Sequence, residues 1–169
     1  MPIQHLDFQN VTAYRAIRPL FNSSYEEEKK RPLSDFYDLL VCNPNRITFG
    51  VLDIAKLVAI VCVTRDKRKK VNHKGSISSM YVSASHQGRG IGKQLLTHTL
   101  EFADLQAKLS QLTLVVNVTN ISAISLYQSF GFKMFGIEPF AAIINGEPQN
   151  QMHMVRLKNV ALNKTELAE

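Results

Sequence analysis

The sequence predicts a mixed α/β fold in which one central sheet, antiparallel at its start, carries helices on its faces. Three observations support this. Apolar residues change period along the chain, from helical spacing before Pro44 to strand-like runs after it. Three such runs, at 47–53, 57–65 and 76–82, follow one another across short connections, as an antiparallel meander does. Beyond them an amphipathic segment, a β-branched run and a second helical segment alternate, as strand–helix–strand crossovers do.

The first element, residues 3–8, alternates apolar and polar side chains and is expected to be a short strand. From Asn10 to about position 21, Val11, Tyr14, Ile17, Arg18 and Phe21 recur at helical spacing, with Asn10 placed to cap the start. Residues 22–32 are polar, with Glu26, Glu27 and Glu28 set against Lys29, Lys30 and Arg31, and they end on the helix-breaking Pro32. A short helix over about 33–41 follows, bearing Phe36, Tyr37, Leu39 and Leu40, and Pro44 closes it. The meander comes next, its first pair joined by a tight turn near 53–56 and its second by a loop containing Asn72 and Gly75. Residues 91 to about 109 read as a long amphipathic helix, with Ile91, Leu95, Leu96, Leu100, Ala103 and Leu105 on or near one face. The run at 112–118 is continuously apolar, as a buried strand is, and 120–130 is helical with Gly131 as its C-terminal cap. Residues 133–137 and 152–157 close the sheet around a turn near Asn145 and Gly146. With no repeat and no linker, residues 1–159 are expected to form one domain and 160–169 a frayed polar tail.

Composition narrows the function classes. A chain of 169 residues, 45% apolar and 20% charged, buries enough surface for an independent core and argues against wholesale disorder. The longest clear apolar run, 57–63, is strand-sized, far short of the ~20 residues a membrane helix needs. The start, Met1-Pro2-Ile3-Gln4-His5, lacks a signal peptide's basic and apolar stretches, so cytoplasmic residence is expected. Cys42 and Cys62 make no disulfide framework. The net charge of +6 is concentrated: residues 65–74 hold six Lys or Arg and one Asp, which leaves only +1 for the rest. That distribution reads as a solvated hairpin tip and makes a nucleic-acid-binding protein the weakest of the alternatives.

The chemistry-bearing segment is Gln87-Gly88-Arg89-Gly90-Ile91-Gly92-Lys93, which follows a predicted strand and opens a helix. Glycines there let backbone N–H groups converge on an anion, and the helix dipole favours negative charge. A nucleotide P-loop would need glycine where Gln87 stands and Ser or Thr where Gln94 stands. A dinucleotide fingerprint would need its third glycine at Lys93. Neither fits. The remaining pattern, Gln-x-x-Gly-x-Gly, resembles the acetyl-CoA pyrophosphate-binding motif of the GNAT superfamily of N-acetyltransferases. The preceding Met80-Tyr81-Val82 strand and the downstream Asn120, Ala123, Leu126-Tyr127 and Gly131-Phe132 resemble the family's other signatures, in the same order.

The resemblance implies a GNAT-like acyl-CoA N-acyltransferase fold, a mixed sheet of about seven strands flanked by about four helices. It implies an enzyme that moves an acetyl group from acetyl-CoA, its cosubstrate, to a primary amine by direct attack in a ternary complex, with no metal. The pantetheine arm would run along Met80, Tyr81 and Val82. The Met80 N–H would stabilise the oxyanion, an effect often worth ~3 kcal/mol. Gln87, Gly88, Arg89, Gly90, Ile91, Gly92 and Lys93 would hold the pyrophosphate. Asn120 would either bond the cofactor arm or cap its helix, and Tyr127 would protonate or stabilise the departing thiolate. Many relatives carry a basic glutamate on the strand before the motif, whereas Ser76-Ile77-Ser78-Ser79 has no carboxylate. Glu138, His86, His153 and Glu26 to Glu28 are the candidate substitutes, and a water chain to a serine or backbone carbonyl would also suffice for an amine of modest pKa. Acceptor choice is expected from about 22–41 and 140–151. A homodimer is compatible with this reading. An acyl-CoA-binding sensor with little catalysis is the alternative from another class.

Overall fold

A computed structural model describes residues 1–18, 30–144 and 146–158. Chain order is β1 (Ile3–His5), α1 (Val11–Ile17), α2 (Leu33–Tyr37), β2 (Arg46–Asp53), β3 (Lys56–Arg65), β4 (Lys74–Val82), α3 (Ile91–Glu101), β5 (Gln111–Asn117), α4 (Ile121–Ser129), β6 (Lys133–Ile144) and β7 (Glu147–Leu157). The seven strands form one sheet in the order β1-β2-β3-β4-β5-β7-β6. Only β4 and β5 run parallel, and α3 crosses between them. The mixed seven-stranded sheet with four described helices is the architecture expected above. β7 inserts between β5 and β6, however, so the second crossover does not place neighbouring strands side by side.

Two apolar clusters define the two faces. Buried Leu112, Leu114 and Val116 of β5, with Ile77 of β4, pack under Ile91, Leu95, Leu96 and Leu100 of α3. Complete burial of one such leucine contributes about 1.5–3 kcal/mol. On the opposite face Leu57 and Ile60 of β3 meet Leu6, Val11, Tyr14, Ile17, Phe36 and Leu40, with Tyr81 packed against them. β3 is covered on both sides, which is why its sequence is an unbroken apolar run.

Several boundaries differ from the sequence expectation, each for a local reason. The first strand stops at His5 because Asp7 and Asn10 close a capping box: the Gln9 N–H donates to Asp7, and the Asp7 N–H donates to Asn10 at 3.0 Å. Asn10 is thereby occupied and makes no side-chain cap on α1. The predicted end of that helix near Phe21 lies outside the described residues. α3 ends at Glu101 and continues as one wide turn, Phe102–Gln106, which swings Leu105 out to 71% exposure while Ala103 and Leu109 stay buried. The closing hairpin is much longer than expected. Its strands extend through Pro139 and Pro148 by absorbing an irregularity between Glu138 and Ala142, where Phe140 adopts φ 56° and its N–H donates to Asn150. Residues 140–151, which lie between the strands expected at 133–137 and 152–157, are therefore largely strand. Arg156 of β7 forks onto Asp104 at 2.8 and 3.0 Å, tying this hairpin to the turn after α3. The tail and Asn145 lie outside the described residues. No helix among the described residues is long and apolar enough to cross a membrane.

Candidate active site

The site begins as a defect in the sheet. β4 and β5 pair only over Lys74–Ser76 and Gln111–Thr113, then part. From Ile77 to Val82 one side of β4 has no strand partner. On its other side the register with β3 slips between Ile60 and Cys62, so that Ser79 and Met80 face the single residue Val61. Ser79 takes φ 54°, a left-handed conformation that costs an L-residue ~1–2 kcal/mol. The bulge turns the strand, and a cavity of about 980 Å³ fills the opening, lined by Met80, Tyr81 and Val82 on one wall and Leu114 to Asn117 on the other.

The glycine-rich loop closes one end. Gln87 donates its side-chain amide to the Val82 carbonyl at 3.0 Å, which braces the loop against the strand end. Gly88 and Gly90 sit at φ 75° and 74°, and a Cβ on either would meet nothing within 4 Å: both backbones face open space. Gly92 differs, since its Cβ would make ordinary contacts with Met80, Leu126 and Val82 at 3.6–3.7 Å. Gly90 is the N-cap of α3 and offers no side-chain cap. The first-turn N–H groups of Ile91, Gly92 and Lys93 therefore have no intrahelical acceptor and point out of the helix start. Such an arrangement binds anions. Lys93 lines the cavity, whereas exposed Arg89 does not.

Helix α4 supplies the opposite wall. Asn120 caps it, accepting from the Ala123 N–H at 3.2 Å and the Ser122 hydroxyl at 3.1 Å. At the other end Gly131, at φ 85°, donates to the Gln128 carbonyl and Phe132 donates to that of Tyr127. This closure lays the Phe132 ring 6.0 Å from the Tyr127 ring and holds the tyrosine at the cavity wall. Tyr127 is 8% exposed, and burial pushes its phenol up to about 12, so it keeps its proton throughout the neutral range.

The cavity passes through the splayed sheet to the α1 face. There Arg18 donates to the Ser79 hydroxyl at 3.2 Å and lies over the Tyr14 ring. Among the suggested bases, His86 has both ring nitrogens engaged: Nδ1 lies 3.0 and 2.9 Å from the Ser83 and Ser85 hydroxyls, and Nε2 lies 3.0 Å from Asp53. It braces the β2–β3 turn against the glycine loop. Glu138 and His153 pair with each other at 2.9 Å on the closing hairpin. Glu26 to Glu28 lie outside the described residues, with the rest of 22–29.

A family model described as the acetyltransferase (GNAT) family matches residues 13–132, the stretch from α1 to Phe132 that builds this site. The chain belongs to the GNAT family. A spermidine N(1)-acetyltransferase of Vibrio cholerae is 30% identical over 96 residues, 56% of this chain and 54% of that protein. The N-alpha-acetyltransferase MAK3 of Arabidopsis thaliana is 31% identical over 116 residues, 68% of this chain and 60% of that protein. The chain thus spans between about half and 60% of the length of these curated relatives. An acetyltransferase of the GNAT family from Streptococcus pneumoniae superposes with a TM-score of 0.83 at 25% identity, over 93% of this chain and 99% of that one.

Within this GNAT frame the basic segment is the β3–β4 connection. It forms a short turn at Lys69–Val71, and Arg68 forks onto Asp66, holding that carboxyl down to about 2. Arg65 is drawn away to the Ala107 carbonyl. Sequence reasoning missed Ser79, Arg18, Val115 and Asn117 as cavity residues. Ser79 carries no glycine to announce its left-handed backbone, and Arg18 reads as an ordinary helix-end cation. No group of three or more His, Cys, Asp or Glu able to hold a metal occurs among the described residues.

Proposed function

We propose that this chain is an acetyl-CoA-dependent N-acetyltransferase that moves the acetyl group directly to a primary amine in a ternary complex. The observation that carries the reading is the splayed β4–β5 pair. It leaves β4 without a neighbouring strand on its β5 side beyond Ser76, ends at a loop of outward N–H groups, and opens onto both faces of the sheet. The dimensions and chemistry suit acetyl-CoA. A strand edge with no neighbouring strand suits an amide-bearing arm, and the open backbones of Gly88 and Gly90 with the start of α3 complement a pyrophosphate.

In this reading Gln87, Gly88, Gly90, Ile91 and Gly92 form the phosphate cradle, with charge added by Lys93 and, from outside the cavity, by Arg89. Asn120 donates to the cofactor arm while its oxygen caps α4. The Met80 N–H, beside the bulge, donates to the carbonyl oxygen as charge grows there. Tyr127 donates a hydrogen bond to the departing sulfur. Full transfer from a phenol near 12 to a thiolate of ordinary basicity, near 8.5, is uphill by about 5 kcal/mol, so its contribution is the hydrogen bond. The amine enters from the α1 face. Relatives named for spermidine and for protein α-amines support an amine acceptor. Cytoplasmic residence and pairing of two copies through the exposed apolar β6 residues Ile137, Phe140 and Ile143 belong to the same proposal.

Calorimetric titration with acetyl-CoA, followed by thiol-release assays against polyamines, amino acids and peptide amino termini, tests the reading. Binding with release supports it. Binding with no release from any amine would favour the sensor alternative, and absence of binding would sink both.

A further inference from the structure

The residue that deprotonates the acceptor is absent from the strand where relatives carry it: β4 bears Ser76, Ser78 and Ser79 there. We propose that His153, held by Glu138, takes the acceptor's proton. The inference rests on the acetyltransferase reading and supplies its missing base.

Three observations place the pair. First, strand register fixes the face. β5 sends Leu112, Leu114 and Val116 to the α3 side, so Val115 and Asn117 lie on the α1 side, and both line the cavity. His153 does not itself line the cavity, but it is the direct β7 partner of Val115, which puts the two Cβ atoms about 5 Å apart on that same side. Second, the His153 Nε2 lies 2.9 Å from a Glu138 carboxylate oxygen, and an ionised carboxylate can only accept. The proton therefore sits on Nε2, and Nδ1 is left as the ring's acceptor, with no hydrogen bond from any described residue. Third, the Phe135 ring stands edge-on 5.9 Å from the imidazole and fixes its plane, while the His153 side chain keeps 31% exposure.

The groups facing His153 come from β5, β6 and β7 and from across the opening. From β6, Glu138 is in contact, and Lys133 lies one pair further along, opposite Val155. The facing β5 residues Thr113, Val115 and Asn117 are uncharged, as are Gln151 and Val155 of β7. Across the opening stand Arg18 and Tyr81. The nearest charge is thus negative. In the reaction an ammonium acceptor gives one proton to Nδ1, and its nitrogen adds to the thioester carbon. The carbon–sulfur bond then breaks, the second nitrogen proton ends on sulfur, and His153 returns its proton to water.

The test compares wild type with His153→Gln and Glu138→Gln, using the amine that gives the fastest thiol release. His153→Gln should lower kcat about 100-fold and abolish the acid limb of the kcat/KM–pH profile, with the acetyl-CoA Kd from calorimetry within twofold. Glu138→Gln should lower kcat about tenfold and move that limb down by at least half a pH unit. Nitrogen-15 NMR of the histidines, read without any acceptor, should show His153 protonated on Nε2 in wild type and a mixture of tautomers in Glu138→Gln. A kcat within threefold of wild type and an unchanged acid limb in His153→Gln would overturn the proposal. So would an Nδ1-protonated His153 in the wild-type protein. Loss of acetyl-CoA binding by the wild type would instead strike at the acetyltransferase reading itself.

Discussion

Alanine placed at Gly90 separates backbone strain from ligand contact. At φ 74° a Cβ costs ~1–2 kcal/mol, and the stiffer unfolded chain returns ~0.4–1 of that. Because nothing lies within 4 Å of the new methyl, no clash adds to the strain. The net loss is about 0.5–1.5 kcal/mol, and at ~2–4 °C per kcal/mol for a chain of this size the Tm falls by about 1–6 °C. Gly146, at φ 82° and also open, is the control: its alanine variant bears the same strain at the hairpin turn, away from the cavity. If Gly90 cradles a pyrophosphate, its methyl also holds the phosphate off one or two N–H donors. Each charge-assisted hydrogen bond is worth ~1.5–3 kcal/mol, which corresponds to an acetyl-CoA Kd weaker by about 10- to 100-fold. Gly92→Ala completes the set: its Cβ fits at 3.6–3.7 Å inside a helix, so it should raise the Tm slightly. Calorimetry and thermal melts on the three variants decide the matter. Equal Tm losses in the Gly90 and Gly146 variants with wild-type Kd in both would refute the pyrophosphate cradle. The same left-handed backbone means that Gly90→Val would weaken the fold as well as the site.

Other expected outcomes rest on separate features. Tyr127→Phe should reduce kcat by roughly 10- to 1000-fold with little change in acetyl-CoA affinity, and unchanged turnover in a thiol-release assay would remove the phenol from the mechanism. Burial raises the Tyr127 phenol from 10.0 to about 12, so the folded state keeps a proton that the unfolded state loses; stability present below pH 10 should fall by roughly 2–3 kcal/mol toward pH 12. Alkaline denaturation of Tyr127→Phe should lack that fall. Asp66, held down to about 2 by Arg68, works in the opposite sense: its contribution is present above its unfolded value of 3.8 and fades as pH drops toward 2. Acid titration of Asp66→Asn should show a shallower decline across that window. The β2–β3 turn places Ile54 and Ala55 at φ 44° and 64° with Ile54 97% exposed, so Ile54→Asn with Ala55→Gly should raise stability by ~1–2 kcal/mol in urea melts.

The fold was legible wherever one physical signal governed a segment. β3 is an uninterrupted apolar run because both its faces are buried, and α4 is bounded by Asn120 and Gly131 because those residues cap it. Boundaries blurred where side chains compete for backbone groups. Asn10 is a good cap by type, yet Asp7 engages it first. Leu105 fits the 3.6-residue period of α3, but the period itself widens at Phe102 and carries that leucine into solvent. In the closing hairpin Pro139 and Pro148 look like strand breakers. Pro139 is accommodated because β6 is an edge strand and the register shifts beside it, and Pro148 because β7 pairs with β5 only from Gln151 onward, so it needs no ladder hydrogen bond on that side.

The candidate site divides along the same line. Its cofactor side is written in glycines and a helix start, residue types whose backbone behaviour is visible in the sequence. Its acceptor side is built by register, which no local pattern reports. Val115 and His153 are 38 residues apart and become neighbours only because β7 inserts between β5 and β6. Glu138 reaches His153 only because the extra residue at 135 shifts β6 by one position against β7. Deleting Ile137, two residues beyond the bulge, would set Glu138 opposite Met152 and send it to the other face. If the pair acts as proposed, such a deletion should lower turnover as Glu138→Gln does while acetyl-CoA still binds with its wild-type Kd. Wild-type turnover in a folded deletion variant would show that the hairpin's register is irrelevant to the chemistry.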